Sequence, residues 1–318
     1  MRVAALAGGV GGAKLASGLE AALPDGGLSV IVNTADDFEL WGLHISPDLD
    51  TVMYTLAGIA NPETGWGIKD ETFDSLGMLG EYGEDTWFLL GDRDIATHVL
   101  RTERLKKGES LTAVTGGLSK ALGIPSRVLP MSDERVSTML DTPYGRLEFQ
   151  EYFVRRGQRD EVLGVELRGI ENSRPTGEVL EALSGAAAIV FCPSNPVVSI
   201  GPILAVPGMR DALADSSAPK VAVSPIIGGK ALKGPADRML SSLGHESAAA
   251  GVARMYAGLV DGMVIDRADE GERAGIEALG MRVLVTDAVM RDEADRARLA
   301  YEVLGFAEEI SGSSGRSG

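Results

Sequence analysis

Six short runs of apolar and β-branched residues punctuate the chain: RVAALA (2–7), LSVIVNT (28–34), AAAIVFCPS (186–194), KVAVSP (220–225), GMVID (262–266) and MRVLVTD (281–287). A strand covered on both faces needs a nearly continuous apolar run, and the amphipathic stretches between these runs supply the covering helices. The rhythm predicts an α/β fold with a mainly parallel sheet. Each run gives way to Gly, Pro, Ser, Asn or Asp, residues suited to binding loops at the carboxyl edge of such a sheet, where ligands bind.

Two regions depart from that rhythm. From about Leu49 to Gly123 the segments LDTVMYTLAGI, DETFDSLGMLGEYG and DIATHVLRTERLKKG carry apolar residues at helical spacing and predict a helical cap. From about Ser126 to Leu167 the pattern alternates, as in VSTMLDTPYGRLEFQEYFV, and predicts a small antiparallel insertion turning at TPYG. No internal repeat is present.

Composition narrows the partners. With 318 residues and 44% hydrophobic content the chain can bury a sizeable core. Its formal charge of −16 repels nucleic-acid backbones and anionic lipid, so neither is expected as a partner, and any bound phosphate must be gripped locally. The single cysteine, Cys192, lies within an apolar run and reads as a buried strand residue. Without a disulfide framework the chain fits a reducing cytoplasm. The apolar N-terminus is broken by glycines after Ala7, which reads as strand, turn and helix instead of a signal peptide, and no run reaches the roughly 20 residues of a membrane span.

Five stretches carry candidate chemistry. LAGGVGGAK follows the first strand, where Gly9, Gly11 and Gly12 would bring backbone N–H groups close to a phosphate and Lys14 would add charge. It is an imperfect fingerprint, since Lys14 stands where a dinucleotide site has its third glycine, and a plain strand-to-helix turn is the alternative. NTADDFELWGLHISPDLDTVMY, Asn33 to Tyr54, places Asn33, Asp36 and Asp37 directly after the second strand, the position of nucleotide contacts in a doubly wound fold. In SPDLD a proline at the first helical turn makes Asp48 read as a helix cap, whereas Asp50 is a second carboxylate beyond what a cap needs and is a candidate for a metal or a substrate hydroxyl. GDRDIATH puts Asp92, Arg93 and Asp94 at a helix start, with a capped terminus and surface ion pair as the alternative. The loop after the third apolar run, CPSNPVVSIGPIL, offers Ser194, Asn195, Ser199 and Gly201 as donors around an irregular backbone, and SPIIGGKALKGPADRM offers Gly228, Gly229, Lys230, Lys233 and Gly234 as a diphosphate cradle. His44, His98 and His245 match no zinc spacing and read as structural or supporting residues.

Taken together, GGVGGAKL, NTADDFELWGLHISPDLDTVMY, GDRDIATH, TGGLSKALGI, PSNPVVSIGPIL and SPIIGGKALKGPADRM resemble the 2-phospho-L-lactate transferase family of deazaflavin coenzyme F-420 biosynthesis, nearly end to end. The resemblance implies a Rossmann-like three-layer core, here residues 1–48 and 176–310, with a cap-and-hairpin region over 49–175; the low-complexity SGSSGRSG, 311–318, reads as a disordered tail. It implies magnesium-dependent transfer of a phospholactyl or phosphoenolpyruvyl group from a guanylylated donor to the ribityl hydroxyl of the deazaflavin Fo, with release of GMP, by a cytoplasmic homodimer. It assigns Asp50 and Arg93 to Fo; Asp50 would also hold the metal, Trp41 would pack on the deazaflavin ring, and the strand-end loops would take the guanine nucleotide. The related gluconeogenesis-factor family, which binds nucleotide sugars without catalysis, is the rival; FELWGLHISPDLD stands where that family has a glycine- and serine-rich segment. A dinucleotide-dependent oxidoreductase is disfavoured by Lys14.

Overall fold

The computed structural model describes residues 1–314. Its strands are β1 (Val3–Ala7), β2 (Leu28–Val32), β3 (Phe38–Leu40), β4 (Leu43–Ile45), β5 (Arg127–Pro130), β6 (Ser137–Thr142), β7 (Gly145–Glu148), β8 (Gly164–Arg168), β9 (Ala188–Phe191), β10 (Lys220–Val223), β11 (Ile226–Ile227), β12 (Lys230–Ala231), β13 (Gly262–Asp266) and β14 (Arg282–Thr286). Seven of them form one parallel sheet in the order β14-β13-β10-β9-β1-β2-β5. All six apolar runs are in it. The seventh strand, β5, comes from inside 49–175, so that stretch completes an edge of the core and is not purely an added region.

Alternation along β1 explains the three layers. Val3, Ala5 and Ala7 face a cluster built with helices α1 (Gly9–Ala22), α2 (Pro47–Leu56) and the C-terminal helix Glu293–Ser314, while Ala4 and Leu6 face helices between Gly177 and Met255. Strand side chains point alternately to opposite faces, and both faces here are buried. Of the helices expected to form a cap, α2 and α5 (Leu111–Ala121) lie on the core, through Leu49, Val52, Met53, Val114 and Leu118. The outlying helices are α3 (Asp74–Glu81) and α4 (Asp92–Lys106). β6, β7 and β8 make the antiparallel insertion, turning at Pro143 and Tyr144 as TPYG predicts.

The C-terminal helix extends to Ser314, past the 311 at which the expected tail begins; 315–318 lie outside the described residues. Among the described residues no helix is long and apolar enough to cross a membrane. Cys192 is buried, and burial pushes its thiol up, as an inert core cysteine requires.

The chain leaves β1 toward β2 and β5 on one side, and β9 leads to β10, β13 and β14 on the other. The direction of winding therefore reverses between β1 and β9, and a crevice opens at their carboxyl ends. Into it run the glycine loop after β1 and the Pro193–Ser199 loop after β9.

Candidate active site

A cleft of about 560 Å³ fills that crevice. Its lining has a polar part, with Gly8, Gly9, Gly11, Asp36, Asp48 and Ser194, and an aromatic part, with Trp87 and Phe88; Trp66 also lines it, next to the Thr64–Gly65 turn that sits against Val10 and Lys233. Phe149 and Phe153, stacked with ring centroids 5.3 Å apart, line another part of it.

The polar end is set by close backbone approach. Gly9 opens α1 at φ +62°, a region that disfavours side chains, and a Cβ on Gly11 would run into the Pro193 carbonyl. The Gly8 N–H donates to Ser194 Oγ (3.0 Å) and the Gly9 N–H to Asp48 Oδ1 (2.8 Å). Behind them Asn33, wholly buried, donates from Nδ2 to Asp36 Oδ2 and Asp48 Oδ2 (3.0 Å each) and to the Val198 carbonyl (3.2 Å), while its Oδ1 accepts from the Ala35 N–H (3.0 Å). One amide thus ties the β2 loop, α2 and the β9 loop together. Asp36 Oδ1 is buried with no partner. Burial, together with the neighbouring Asp48 and Asp37 charges, holds the Asp36 carboxyl well above the usual range; burial likewise pushes Asp48 up to about 6, against the Asn33 and Gly9 hydrogen bonds.

Toward the aromatic end, two polar stripes face each other. Asp94, His98 and Arg101 recur at i, i+4 and i+7 on α4, and Asp50 and Tyr54 at i and i+4 on α2, the spacings that put residues on one helix face. Arg101 is completely buried and donates to both Asp50 oxygens, from Nη1 to Oδ2 at 3.0 Å and from Nη2 to Oδ1. Its Nη1 also stands 3.2 Å from His98 Nδ1, so that nitrogen accepts and the ring proton sits on Nε2, 3.2 Å from Asp94 Oδ1. Tyr54 donates its hydroxyl to the same Asp94 oxygen (2.7 Å). Asp50, Asp94 and His98 bring ligand-type atoms within 4.8 Å of one another, but the guanidinium among them already answers the charge.

The sequence-predicted residues divide accordingly. Gly9, Gly11, Lys14, Asp36, Asp50, Ser194, Asn195, Ser199, Lys233 and Gly234 line the cleft. Asn33 and Gly12 lie just behind it, Gly12 because a Cβ there would press on Ser194 and Ala7. Asp37 turns away to accept from Ser46 Oγ (2.7 Å) and to meet His44 Nε2 (3.1 Å). Gly201 packs on the Pro196 carbonyl inside the helix Ile200–Ala205. Gly228 and Gly229 form the turn of the β11–β12 hairpin, which carries Gly229 and Lys230 into a separate cleft beside Arg159 and Asp237. Trp41 occupies the β3–β4 hairpin tip at φ +51° and packs on Phe38, Ile45 and Leu90; Trp87 and Phe88 provide the ring surface instead. Arg93 is exposed and donates to the Lys69 carbonyl (3.1 Å), outside the lining. Asp48 is not a cap: Ser46 holds the N-cap position, and the Asp48 carboxylate reaches across to Gly9. Asp94, expected at a helix start with a capped terminus as the alternative, lines the cleft; Tyr54 and Arg101 carried no expectation, and their signal was the helical spacing of polar groups on segments expected to be amphipathic.

Comparison with known proteins bears on this arrangement. The family model described as 2-phospho-L-lactate transferase CofD matches residues 3–300. A phosphoenolpyruvate transferase of Streptomyces griseus subsp. griseus is 47% identical over 316 residues, covering 98% of this chain and 99% of that one. A 2-phospho-L-lactate transferase of Methanosarcina acetivorans is 39% identical over 305 residues, covering 96% and 99%. A crystal structure of a UPF0052 family member from Bacillus halodurans superposes with a TM-score of 0.69 at 17% identity, over 95% of this chain and 98% of that one, which shows a shared fold. With a family match that spans the sheet, both cleft loops and the α2–α4 stripes, the chain belongs to the 2-phospho-L-lactate transferase CofD family of transferases.

Proposed function

We propose that the protein transfers a phosphorylated three-carbon acid group from a guanylylated donor to a side-chain hydroxyl of the deazaflavin Fo and releases GMP. The observation that carries this is one cleft whose lining combines glycine-loop and lysine groups able to take a diphosphate with aromatic side chains able to take a flat ring. The acceptor oxygen forms a bond to phosphorus as the bond to GMP breaks; the electron pair leaves with GMP and the hydroxyl proton leaves to a base or to water. Such a step is governed by positioning and charge neutralisation. In the proposed complex the first-turn N–H groups of α1, Lys14 and Lys233 meet the diphosphate. Lys14 Nζ donates to the Met290 carbonyl (3.0 Å) at the cleft, and burial, with Arg296 and Lys233 nearby, lowers its pKa.

The magnesium implied by the family fits Asp36 and Asp48 better than Asp50. Asp36 Oδ1 is buried without a well-formed hydrogen bond, its nearest donor being the Thr138 hydroxyl, and a cation between two buried carboxylates and a diphosphate would neutralise them without protonation. Both Asp50 oxygens are engaged by the cationic Arg101, which already answers their charge, whereas among the described residues the Asp48 oxygens accept only from the neutral Gly9 N–H and Asn33 amide. When bound, the ion would neutralise charge on the diphosphate and on departing GMP. The higher identity to phosphoenolpyruvate transferases than to the Methanosarcina enzyme supports an enolpyruvyl donor. A cytoplasmic homodimer remains part of the proposal and is tested by light scattering of the purified protein.

Incubation with Fo, magnesium and either guanylylated donor is expected to release GMP, faster with the enolpyruvyl form; no GMP from either removes the proposal, and equal rates remove the donor preference. Among the described residues Lys233 Nζ donates to the Thr64 carbonyl alone (2.8 Å) and lines the cleft, so Lys233→Ala is expected to weaken GDP binding about tenfold. Lys230→Ala, in the other cleft, should bind GDP as the wild type does. Calorimetry giving equal losses for the two would return Lys230 to the phosphate site.

A further inference from the structure

We infer that Asp94 is the residue that holds a side-chain hydroxyl of the acceptor. This rests on the reading of the cleft as an Fo site and assigns within it a contact carried by one unpartnered oxygen.

Asp94 is 7% exposed and lines the cleft. Its Oδ1 accepts from the Tyr54 hydroxyl at 2.7 Å and lies 3.2 Å from His98 Nε2, which makes no hydrogen bond. Among the described residues no hydrogen bond reaches its Oδ2. A carboxylate oxygen gives up its water when a ligand fills this part of the cleft, so that ligand must bring a donor in its place.

The surroundings state which kind. Asp50 lies beside Asp94 with both oxygens bound to Arg101, so its remaining lone pairs also only accept. An anion is excluded from this end, and it is drawn instead to the glycine loop and Lys233. A neutral polyol fits: each hydroxyl donates one hydrogen bond, while Trp87 and Phe88, next along the wall, offer ring surface to the attached heterocycle. Asp94 is also fixed before the ligand arrives. The Arg101 contact at His98 Nδ1 sets the imidazole tautomer and leaves Nε2 3.2 Å from Asp94 Oδ1 without a hydrogen bond, while the Tyr54 hydroxyl anchors that oxygen at 2.7 Å. The Tyr54 contact thus holds Oδ1 and leaves Oδ2 for the ligand.

The test is a cycle between residue and substrate, using Fo and a set of Fo analogues each lacking one side-chain hydroxyl. Asp94→Asn is expected to lower kcat/KM for Fo about 10- to 100-fold, carried mainly by KM, with GDP affinity unchanged. In the wild type one analogue should show a comparable loss, and in Asp94→Asn that same analogue should lose little more, because the contact is already gone. Losses that multiply for every analogue, wild-type kinetics in the variant, or a parallel fall in GDP affinity would each overturn the assignment. Should Asp94→Asn fail to fold, Tyr54→Phe decides: it keeps the carboxylate and removes one of its anchors, so KM for Fo should rise about threefold or more, and an unchanged KM refutes the inference. Wild-type protein that transfers nothing to Fo refutes the functional reading itself, whereas normal wild-type transfer beside an unimpaired Asp94→Asn refutes only the hydroxyl contact.

Discussion

Asp50→Asn is expected to lose about 3–5 kcal/mol of folding stability in addition to activity, because it leaves a buried cation without its counter-charge. Arg101 is the largest wholly buried side chain in the molecule, and Asp50 meets its planar fork with both oxygens. An amide in that place offers one acceptor and turns an N–H toward the guanidinium. The remaining neighbours, a His98 nitrogen, the Tyr54 hydroxyl and the Asp37 carboxyl, which acts on Arg101 only through its charge and makes no hydrogen bond to it, do not replace the bidentate contact. Urea unfolding should therefore show a much lower midpoint for Asp50→Asn and for Arg101→Met. Asp50→Leu combined with Arg101→Met should be less destabilised than the sum of the single changes, since it removes both charges together. If Asp50→Asn unfolds at the wild-type urea concentration, the pair is not holding α2 to α4, and any lost turnover belongs to direct contact with substrate.

That prediction marks the limit of what the residue pattern conveyed. Asp50 stood out in the sequence as one carboxylate too many for a cap, but Arg101, 51 residues later, looked like an ordinary charge on an amphipathic helix. Only the packing of α4 on α2 turns it inward. The six apolar runs were legible because burial on both faces leaves a continuous signature. β5, only Arg127–Pro130, was hidden: it is short, ends in proline and sits next to alternating strands whose pattern dominates the window. The glycine loop and the loop after β9 were legible because strand ends in such a sheet are binding positions regardless of detail. Lys230 and Lys233 could not be told apart, since the β11–β12 register, with Ile227 opposite Lys230, decides which lysine faces the cleft. Trp41 misled for a similar reason. Its hairpin turns at Trp41 and Gly42, both with positive φ, a conformation that tryptophan does not advertise.

Asp48→Asn is expected to separate stability from function in opposite directions. A carboxyl whose folded pKa is raised binds its proton more tightly in the folded state than in the unfolded one. Its penalty is therefore absent below the unfolded value of 3.8, grows as pH rises, and is complete above about 6. For Asp48 that amounts to about 3 kcal/mol across the window, and Asp36, raised by burial and by Asp48 itself, acts with the same sign. Metal-free wild type should accordingly lose urea resistance between pH 4 and pH 6, and the asparagine variant, which also relieves Asp36 of its neighbour's charge, should lose much less. At pH 7.5 the variant should be at least as stable as the wild type. Its turnover should nonetheless fall about 10²- to 10³-fold, the usual consequence of deleting one preorganised electrostatic group. Magnesium provides the deciding contrast: it should raise the wild-type urea midpoint at pH 7.5, because the ionised pair binds it only when folded, and should leave Asp48→Asn nearly unmoved. A variant that keeps the wild-type pH slope would show that Asp48 is not the strained carboxyl, and one that still responds fully to magnesium would place the ion elsewhere in the cleft.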